Sequence, residues 1–465
     1  MNETSSEEPG FRQSLIILGC LVGWLIYSIF VMKSEPHIPL LTATVITALL
    51  LKWFGVRWNR IEHGMIEGIR NALQPILILC LIGILIGTWM MSGTVPTLLY
   101  VGMEWLDARY FAFSALGITV LVSLFTGSSF TTISTVGVAL MGIGTAIGAD
   151  PYVAAGAIVS GACFGDKMSP LSDTTNFAPA VAGTDLYTHI RNMMYTSGPA
   201  MIITVFIFLW SGTKEDMPME QLKSVQTSLS QNFHLHWLTL TPLLVVLMGS
   251  MRRYPILPTL TAGIASGLVV TAVTQGNSNP SVWFQVMQQG YKADFTNEIV
   301  ASIVNRGGLQ SMMWSVSLIL IALALGGILQ HGGVITALFR RWVRPIQSNG
   351  AMVWAAGTSS IGVNLLTGEQ YLSILLPGQM FREEFKHRLI PAKTLSRTLE
   401  DCGTLVNALV PWGVSGAFFA NALHVPVTAY MPYAFFLWLS PILTFMYATL
   451  PYLREKTLYE HKMKM

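Results

Sequence analysis

The stretch from Gly165 to Pro179 reads "GDKMSPLSDTTNFAP" and decides how the rest of the chain is interpreted. It holds two aspartates, a lysine and four hydroxyl side chains, although the residues on both sides of it are apolar. Pro170 and Pro179 each remove a backbone hydrogen-bond donor and oppose a continuous helix. The stretch therefore predicts a half-helix, an unwound centre near Leu171 and a second half-helix.

The whole chain has the composition of an integral membrane protein. Of its 465 residues, 52% are hydrophobic and 11% are charged, whereas soluble proteins carry about 25% charged residues. Apolar runs recur at roughly the 17–25 residues that a membrane-spanning helix needs. These runs are Leu15–Met32, Ile38–Phe54, Pro75–Met91, Met194–Trp210, Pro255–Thr274, Met312–Leu329 and Tyr430–Leu450. The sequence therefore predicts an all-α polytopic protein embedded in a lipid bilayer.

Other functional classes find no support in the sequence. The formal net charge of +3 is spread over loops, and no basic patch interleaved with aromatic residues indicates a nucleic-acid partner. The four cysteines lie in or beside apolar segments, and we interpret them as small apolar side chains. Neither a His-Glu-x-x-His helix nor a Gly-x-Ser-x-Gly elbow indicates an enzyme, and we predict no cofactor.

The distribution of lysine and arginine predicts the topology, because these residues mark cytoplasmic loops. The basic loops are 52–70, 252–253, 340–344 and 382–397. Residues 211–236 and 275–311 are predicted to be extracytoplasmic, and both termini cytoplasmic. This pattern holds only if 111–148 and 351–380 each enter and leave the membrane on one side. We therefore predict two re-entrant hairpins, which turn at Thr126-Gly127 and Thr367-Gly368.

Four segments recur in the same order after roughly 220–240 residues. The paired segments begin at His37 and Ile256, Leu81 and Leu320, Phe125 and Leu366, and Leu171 and Leu399. Because the two halves face opposite sides of the membrane, they form a predicted inverted repeat, an arrangement typical of secondary transporters. The predicted divisions are a tail and first helix at 1–37, a first repeat at 38–210, an extracytoplasmic linker at 211–236, a second repeat at 237–452 and a cytoplasmic tail at 453–465.

The polar stretch is predicted to lie at mid-depth in the membrane. About 40 residues separate Pro151 from Arg191, roughly twice what one crossing needs. A charge at that depth costs roughly 2.5–3.5 kcal/mol on insertion scales, so the aspartates need a partner such as a bound cation. Hard cations bind carboxylate, carbonyl and hydroxyl oxygens. The candidate ligands are Asp166, Ser172, Asp173, Thr174, Thr175 and Asn176.

Three simpler interpretations stay open for this stretch. Asp166 pairs with the adjacent Lys167 in one of them, and Asp173 only caps the second half-helix in another. In the third, the whole stretch is a water-exposed loop.

The second half offers a different set of side chains. Glu369 lies at the tip of the second hairpin, and Glu400 and Asp401 are predicted to occupy the position that matches Asp173. We expect Glu400 to face the cytoplasm and pair with Arg397, whereas Asp401 is either an ion ligand or a structural residue. The second-half candidates are Thr367, Glu369 and Asp401, and the candidates at the first hairpin tip are Thr126, Ser128 and Ser129.

The segment "SGACFGDKMSPLSDTTNFAPAVAGTDLYTHIRNMMYT" from Ser160 resembles the most recognisable stretch of the NhaC-type sodium/proton antiporter family, and the similarity extends over nearly the whole chain. The resemblance implies a secondary active transporter that exchanges Na⁺ or Li⁺ for H⁺ across the bacterial plasma membrane by alternating access and serves pH homeostasis. It also implies two inverted repeats and a homodimer. Since the family includes exchangers of small carboxylates of the malate/lactate type with Na⁺ and H⁺, that activity is the alternative.

Coupling between the two ions is predicted to arise at one carboxylate. Na⁺ and H⁺ each neutralise such a group, so they compete for it, and an unneutralised charge is costly to carry across the membrane. We assign this shared group to Asp173, with Asp166 as the alternative and Thr174, Thr175 and Asn176 as neutral ligands.

Overall fold

A computed structural model describes residues 8–211, 219–342, 346 and 348–449. The predicted cytoplasmic tail at 453–465, the first seven residues of the predicted N-terminal tail and residues 212–218 of the predicted linker lie outside the described residues. Every regular element within the described ranges is helical, which confirms the all-α class.

The first four α-helices are α1 (Phe11–Ile26), α2 (His37–Trp53), α3 (Trp58–Met91) and α4 (Thr94–Trp105), with a π-helical turn at Tyr27–Val31. The basic loop predicted at 52–70 is wrong in extent, because only residues 54–57 separate α2 from α3. Arg60 and Arg70 instead lie on α3, which has 34 residues and is therefore about 51 Å long. The distribution of positive charge therefore did not show that most of these residues are helical.

The region around the polar stretch forms six α-helices. They are α5 (Phe111–Thr126), α6 (Ser129–Thr132), α7 (Val138–Ala146), α8 (Pro151–Met168), α9 (Asp173–Ala182) and α10 (Leu186–Trp210), with a 3₁₀ turn at Ala108–Tyr110 and a π turn at Ile133–Gly137. The predicted break between two half-helices is confirmed, since residues 169–172 separate α8 from α9. The turn predicted at Thr126-Gly127 is also confirmed: α5 ends there because Gly127 adopts the left-handed conformation, with φ of 67°, which a residue without a Cβ adopts freely.

Seven α-helices connect this region to the second hairpin. They are α11 (Met219–Asn232), α12 (Thr241–Met251), α13 (Ile256–Thr274), α14 (Pro280–Gln289), α15 (Glu298–Val304), α16 (Met313–His331) and α17 (Val334–Trp342), with 3₁₀ turns at Trp237–Leu240 and Leu309–Met312. Helix α16 packs directly on α3. A side chain in place of Gly64 or Gly68 would collide with the backbone of α16 at Gly327 or Leu323, so the two helix backbones touch.

The second hairpin and the elements after it complete the fold. They are α18 (Asn349–Thr367), α19 (Gln370–His387), α20 (Ala392–Leu399), α21 (Leu405–Asn407), α22 (Val414–Leu423), α23 (Val427–Tyr430) and α24 (Phe435–Thr449), with a π turn at Glu400–Thr404 and a 3₁₀ turn at Met431–Tyr433. The turn predicted at Thr367-Gly368 is confirmed, because α18 ends at a left-handed Gly368. The predicted match of Glu400 and Asp401 with Asp173 is wrong: both residues lie inside the helical run, and the chain unwinds at 408–413.

The boundaries of the second region repeat those of the first at a constant spacing along the chain. Helices α5 and α18 end at Thr126 and Thr367, α9 and α22 begin at Asp173 and Val414, and α10 and α23 begin at Leu186 and Val427. The left-handed residues that end α9 and α22 are Gly183 and His424. The two members of each pair are separated by the same number of residues as Thr126 and Thr367. We call this separation along the chain the repeat interval. By this interval, Asp173 corresponds to Val414 and not to Asp401.

Six helices in the described part of the chain are long and apolar enough to cross a membrane, or up to eight if each of two bent pairs is one span. The bent pairs are Glu220–Asn232 with Trp237–Met251, at 93°, and Val427–Tyr433 with Phe435–Thr449, at 61°. This is the architecture of a multi-pass membrane protein.

Candidate functional site

A small cavity lies among the two hairpin turns and the two helix breaks. Its free space is about 20 Å³, room for roughly one water molecule or one small cation. The lining residues are Ser129, Cys163, Asp166, Lys167, Thr174, Gln370, Glu400, Thr404, Leu405, Ala408, Ser415 and Phe419. Three of these residues, Ser129, Asp166 and Thr174, were predicted as site residues from the sequence.

Many of the lining residues come in pairs that are separated by the repeat interval. The pairs are Ser129 with Gln370, Cys163 with Thr404, Lys167 with Ala408, and Thr174 with Ser415. Corresponding positions in the two regions therefore meet at one cavity. The pairs are chemically unequal, because the positive charge of Lys167 corresponds to a methyl group at Ala408.

Asp166 lies in the last turn of α8 and connects that helix to the first hairpin. Its Oδ2 accepts hydrogen bonds from the backbone N–H of Ser129, at 3.0 Å, and from the Ser129 hydroxyl, at 2.6 Å. The first N–H groups of a helix have no partner within the helix, so Asp166 caps α6 from outside. Its Oδ1 is buried and has no hydrogen-bond partner among the described residues. That oxygen is available to a ligand.

Glu400 is the second carboxylate that lines the cavity. It is fully buried, and its Oε1 accepts a hydrogen bond from the Thr404 hydroxyl at 3.2 Å. Its Oε2 is buried without a hydrogen-bond partner among the described residues. The expectation that Glu400 faces the cytoplasm and pairs with Arg397 is wrong, because Glu400 is buried at the cavity. Two carboxylate oxygens without partners therefore belong to residues of the same small cavity.

Lys167 and Asp401 form an ion pair beside this cavity, with side chains that are 2% and 0% exposed. Asp401 also accepts hydrogen bonds from three hydroxyls: Ser440 at 2.7 Å, Thr196 at 2.8 Å and Thr444 at 2.5 Å. Both charges are compensated within the protein. Lys167 therefore pairs with a residue 234 positions away and not with its neighbour Asp166.

Asp173 lies outside the cavity, although it was the first candidate for the shared ion-binding group. It is exposed, and it accepts hydrogen bonds from the backbone N–H of Thr174, at 2.9 Å, and from the Tyr371 hydroxyl. As the first residue of α9, it also lies where a helix favours a negative charge. The simpler interpretation of Asp173 as the cap is wrong in position, because Ser172 is the N-cap of α9 and Asp173 is the first residue of the helix.

The remaining candidates of the first half stabilise the backbone around the break. Ser172 accepts a hydrogen bond from the Thr175 N–H at 3.4 Å, and the Thr175 hydroxyl donates to the Lys167 carbonyl at 3.0 Å. The Asn176 amide donates to the carbonyls of Pro170, at 3.0 Å, and Ser172, at 2.6 Å. These bonds hold α9 against the end of α8.

The hairpin candidates also bond mainly within their own turns. Ser128 accepts a hydrogen bond from the Thr131 N–H at 3.2 Å, and Thr126 lies 3.2 Å from the Thr132 hydroxyl. In the second hairpin, Glu369 accepts from the Leu372 N–H at 2.7 Å, and Thr367 donates to the Val363 carbonyl at 2.8 Å. Of the candidates at the first hairpin tip, only Ser129 lines the cavity.

Sequence reasoning missed Lys167, Gln370, Thr404 and Ser415 as lining residues. The signal that finds Gln370 and Ser415 is the pairing of Thr126-Gly127 with Thr367-Gly368, because it fixes the repeat interval that relates them to Ser129 and Thr174. In the described part of the chain, no group of three or more histidine, cysteine, aspartate or glutamate side chains is arranged to hold a metal. Any cation bound here would rely on two carboxylates supplemented by hydroxyls and carbonyls.

Comparison with known proteins covers nearly the whole chain. The model of the Na⁺/H⁺ antiporter family matches residues 161–450, which include every lining residue except Ser129. The chain is 52% identical to the Na⁺/H⁺ antiporter NhaC of Alkalihalophilus pseudofirmus, over 94% of this chain and 95% of the relative. It is 46% identical to NhaC of Bacillus subtilis, over 92% and 94% of the two chains. It is 31% identical to the malate-2H⁺/Na⁺-lactate antiporter of Bacillus subtilis, over 93% and 92%.

Proposed function

Because this chain belongs to the NhaC-type Na⁺/H⁺ antiporter family, we propose that it exchanges Na⁺, or Li⁺, for H⁺ across the bacterial plasma membrane. It works as a secondary active transporter by alternating access. The cavity between the two hairpins is its ion site, and the transported ions are its substrates.

One observation carries this assignment of the site. Asp166 and Glu400 each contribute a buried carboxylate oxygen without a hydrogen-bond partner among the described residues, and both residues line a cavity with room for about one small cation. A buried charge without a partner is costly, so a bound Na⁺ or a bound proton stabilises either carboxylate. The hydroxyls of Ser129, Thr174 and Thr404 add the neutral oxygens that hard cations prefer.

Asp166 is the shared group of this proposal, in place of Asp173. Asp173 lies outside the cavity, and the Thr174 N–H and the Tyr371 hydroxyl already bond its two carboxylate oxygens. Asp166 instead joins α8 to the first hairpin through Ser129. Binding of Na⁺ or H⁺ to Asp166 therefore changes the charge at the contact between α8 and the first hairpin.

The family also supports a finer picture of the fold. In this picture the two regions related by the repeat interval are inverted-topology repeats, their hairpins are re-entrant, and the two helix breaks flank the ion site near the middle of the membrane. Both termini are cytoplasmic, and two copies of the chain form a homodimer.

Exchange of a small carboxylate together with Na⁺ and H⁺ is the second candidate, and Lys167 is the observation that favours it. Lys167 lines the cavity, and an ammonium group is a natural partner for a carboxylate substrate. Its charge is engaged by Asp401, however, and the other charged lining residues are acidic. Net negative charge at the cavity repels an anion, so we favour Na⁺/H⁺ exchange.

Purified protein in proteoliposomes tests the proposal. We expect an imposed pH gradient to drive uptake of labelled Na⁺ by the wild type and by Asp150→Asn, a matched control whose carboxylate caps α8 away from the cavity. Asp166→Asn should abolish uptake, whereas Asp173→Asn should retain it. Uptake by Asp166→Asn at the wild-type rate would overturn the assignment of the site. Uptake of labelled malate or lactate that depends on Na⁺ would establish the second candidate.

A further inference from the structure

Asn407 corresponds to Asp166, since the repeat interval separates the two residues. It is fully buried and makes three hydrogen bonds. Its Nδ2 donates to the Asn364 Oδ1, at 2.9 Å, and to the Gly368 carbonyl, at 3.0 Å. Its Oδ1 accepts from the backbone N–H of Ser415 at 2.8 Å. The position that carries a carboxylate in the first region therefore carries a fully bonded amide in the second.

The backbone around the two residues corresponds, although the two side chains bond different partners. The Asn364 side chain donates to the Gly403 carbonyl, and at the corresponding positions of the first region the Ser123 hydroxyl donates to the Ala162 carbonyl at 2.6 Å. Gly127 and Gly368 end their helices with φ of 67° and 68°. The two sites thus share these backbone features and differ in several side chains, among them Ser123 and Asn364, Lys167 and Ala408, and Asp166 and Asn407.

The side chains of Asn407 and Asp166 differ in whether they can donate hydrogen bonds to the surrounding oxygen atoms. In the second region, the amide hydrogens of Asn407 are bonded to two oxygen acceptors, Asn364 Oδ1 and the Gly368 carbonyl. An ionised Asp166 has no hydrogen to donate, and its Oδ1 has no partner among the described residues. An oxygen acceptor is satisfied either by a hydrogen-bond donor or by a cation. The amide group of Asn407 thus lies where a cation would bind if residue 407 were an aspartate.

We propose that the second region contains a latent cation site that the Asn407 amide keeps closed, so that each chain binds one Na⁺ and not two. The identity of the ion rests on the proposed function. Asn407→Asp removes the two donated hydrogen bonds, adds a carboxylate beside Asn364 Oδ1 and the Gly368 carbonyl, and opens the site to Na⁺. Asp166→Asn makes the reverse change and closes the first site.

Counting bound Na⁺ on purified protein by equilibrium dialysis with labelled Na⁺ tests this inference. We expect about one ion per chain for the wild type, two for Asn407→Asp, none for Asp166→Asn and one for the exchanged pair Asp166→Asn/Asn407→Asp. Asn192→Asp is the matched control: it converts another buried amide, one that donates to the Lys393 carbonyl at 2.9 Å, and it should leave the count at one. Asn407→Ala removes the amide without adding a charge and should also leave it at one.

Thermal unfolding in NaCl and in KCl gives a second measurement on the same proteins. We expect the midpoint of Asn407→Asp to rise with NaCl more steeply than that of the wild type or Asn407→Ala, with no such difference in KCl. A count of one for Asn407→Asp would overturn the inference, as would its failure to fold in NaCl when Asn407→Ala folds. A wild type that binds no Na⁺ would instead contradict the proposed function.

Discussion

The ion pair between Lys167 and Asp401 predicts a large loss of stability when one of its charges is removed. Asp401→Asn preserves the shape of the side chain but leaves the Lys167 ammonium, which is 2% exposed, without its counter-charge. Removing one partner of a buried pair costs about 3–5 kcal/mol. Ser440 donates to one oxygen of Asp401, and Thr196 and Thr444 donate to the other. In an asparagine one of these positions is an NH2 group, from which a hydroxyl can only accept. We therefore expect a loss of about 3–5 kcal/mol, which lowers the folding equilibrium constant by a factor of roughly one hundred to several thousand.

Removing both charges should cost less than the two single changes together. Lys167→Met fills a similar volume, and the pair of changes Lys167→Met/Asp401→Asn leaves no uncompensated charge in the interior. Buried ion pairs are often replaced by neutral side chains with little loss. We expect the double variant to be more stable than Asp401→Asn alone, with an interaction energy of about 1–3 kcal/mol.

Equilibrium unfolding of purified protein in mixed micelles, followed by tryptophan fluorescence, measures these free energies. Asp150→Asn, which changes an exposed capping carboxylate, serves as the control and should be close to the wild type. Asp401→Asn within about 1 kcal/mol of the wild type would refute the reasoning, as would losses that simply add in the double variant. Either result would show that water reaches Lys167.

Three further outcomes are expected. If Glu400 and Asp166 must both lose their protons to bind Na⁺, the apparent Na⁺ affinity of the wild type should fall up to about 100-fold for each pH unit over which both groups take up protons. The affinity of Glu400→Gln should fall only about tenfold for each pH unit. Equal pH slopes in Na⁺ titrations of the wild type and of Glu400→Gln would exclude Glu400 from the site. Ser129→Ala removes a hydroxyl that bonds Asp166 at 2.6 Å and should weaken Na⁺ affinity about tenfold, because a hydrogen bond to a charged group is worth about 1.5 kcal/mol or more. Tyr371→Phe, which frees the exposed Asp173, should leave that affinity unchanged, and comparable losses in the two variants would contradict the site. In a cysteine-free version, single cysteines at positions 224 and 278 should react with an impermeant reagent on whole cells, whereas one at position 386 should be protected; the reverse pattern would contradict the proposed topology.

Local signals in the sequence predicted the first region well. Pro170 fixes the break between α8 and α9, and a glycine after threonine fixes each hairpin turn, since these residues limit backbone conformation whatever surrounds them. The apolar runs predicted long helices because a membrane-spanning helix needs about 20 apolar residues. The predicted class and the first helix break therefore needed no knowledge of tertiary contacts.

The errors concern residues whose environment depends on distant parts of the chain. The similarity of the segments from Leu171 and Leu399 matches Glu400 and Asp401 with Asp173, whereas the repeat interval matches Pro170 with Pro411. The exposure of Asp173 follows from how α9 packs, which no local pattern reports. Lys167 finds its counter-charge 234 residues away, so its sequence neighbours, including Asp166, say nothing about it.

The contact between α3 and α16 has a consequence for synthesis of the protein. About 220 residues separate the end of α3 at Met91 from the start of α16 at Met313. At roughly 5–20 residues per second, a ribosome needs about 10–45 s to make them. During that interval the backbone of α3 at Gly64 and Gly68 lacks the partner that it touches in the finished fold. Each nascent chain therefore passes through a stage in which α3, the longest helix of the described residues, is made without this partner, and a truncation before residue 313 would keep it there.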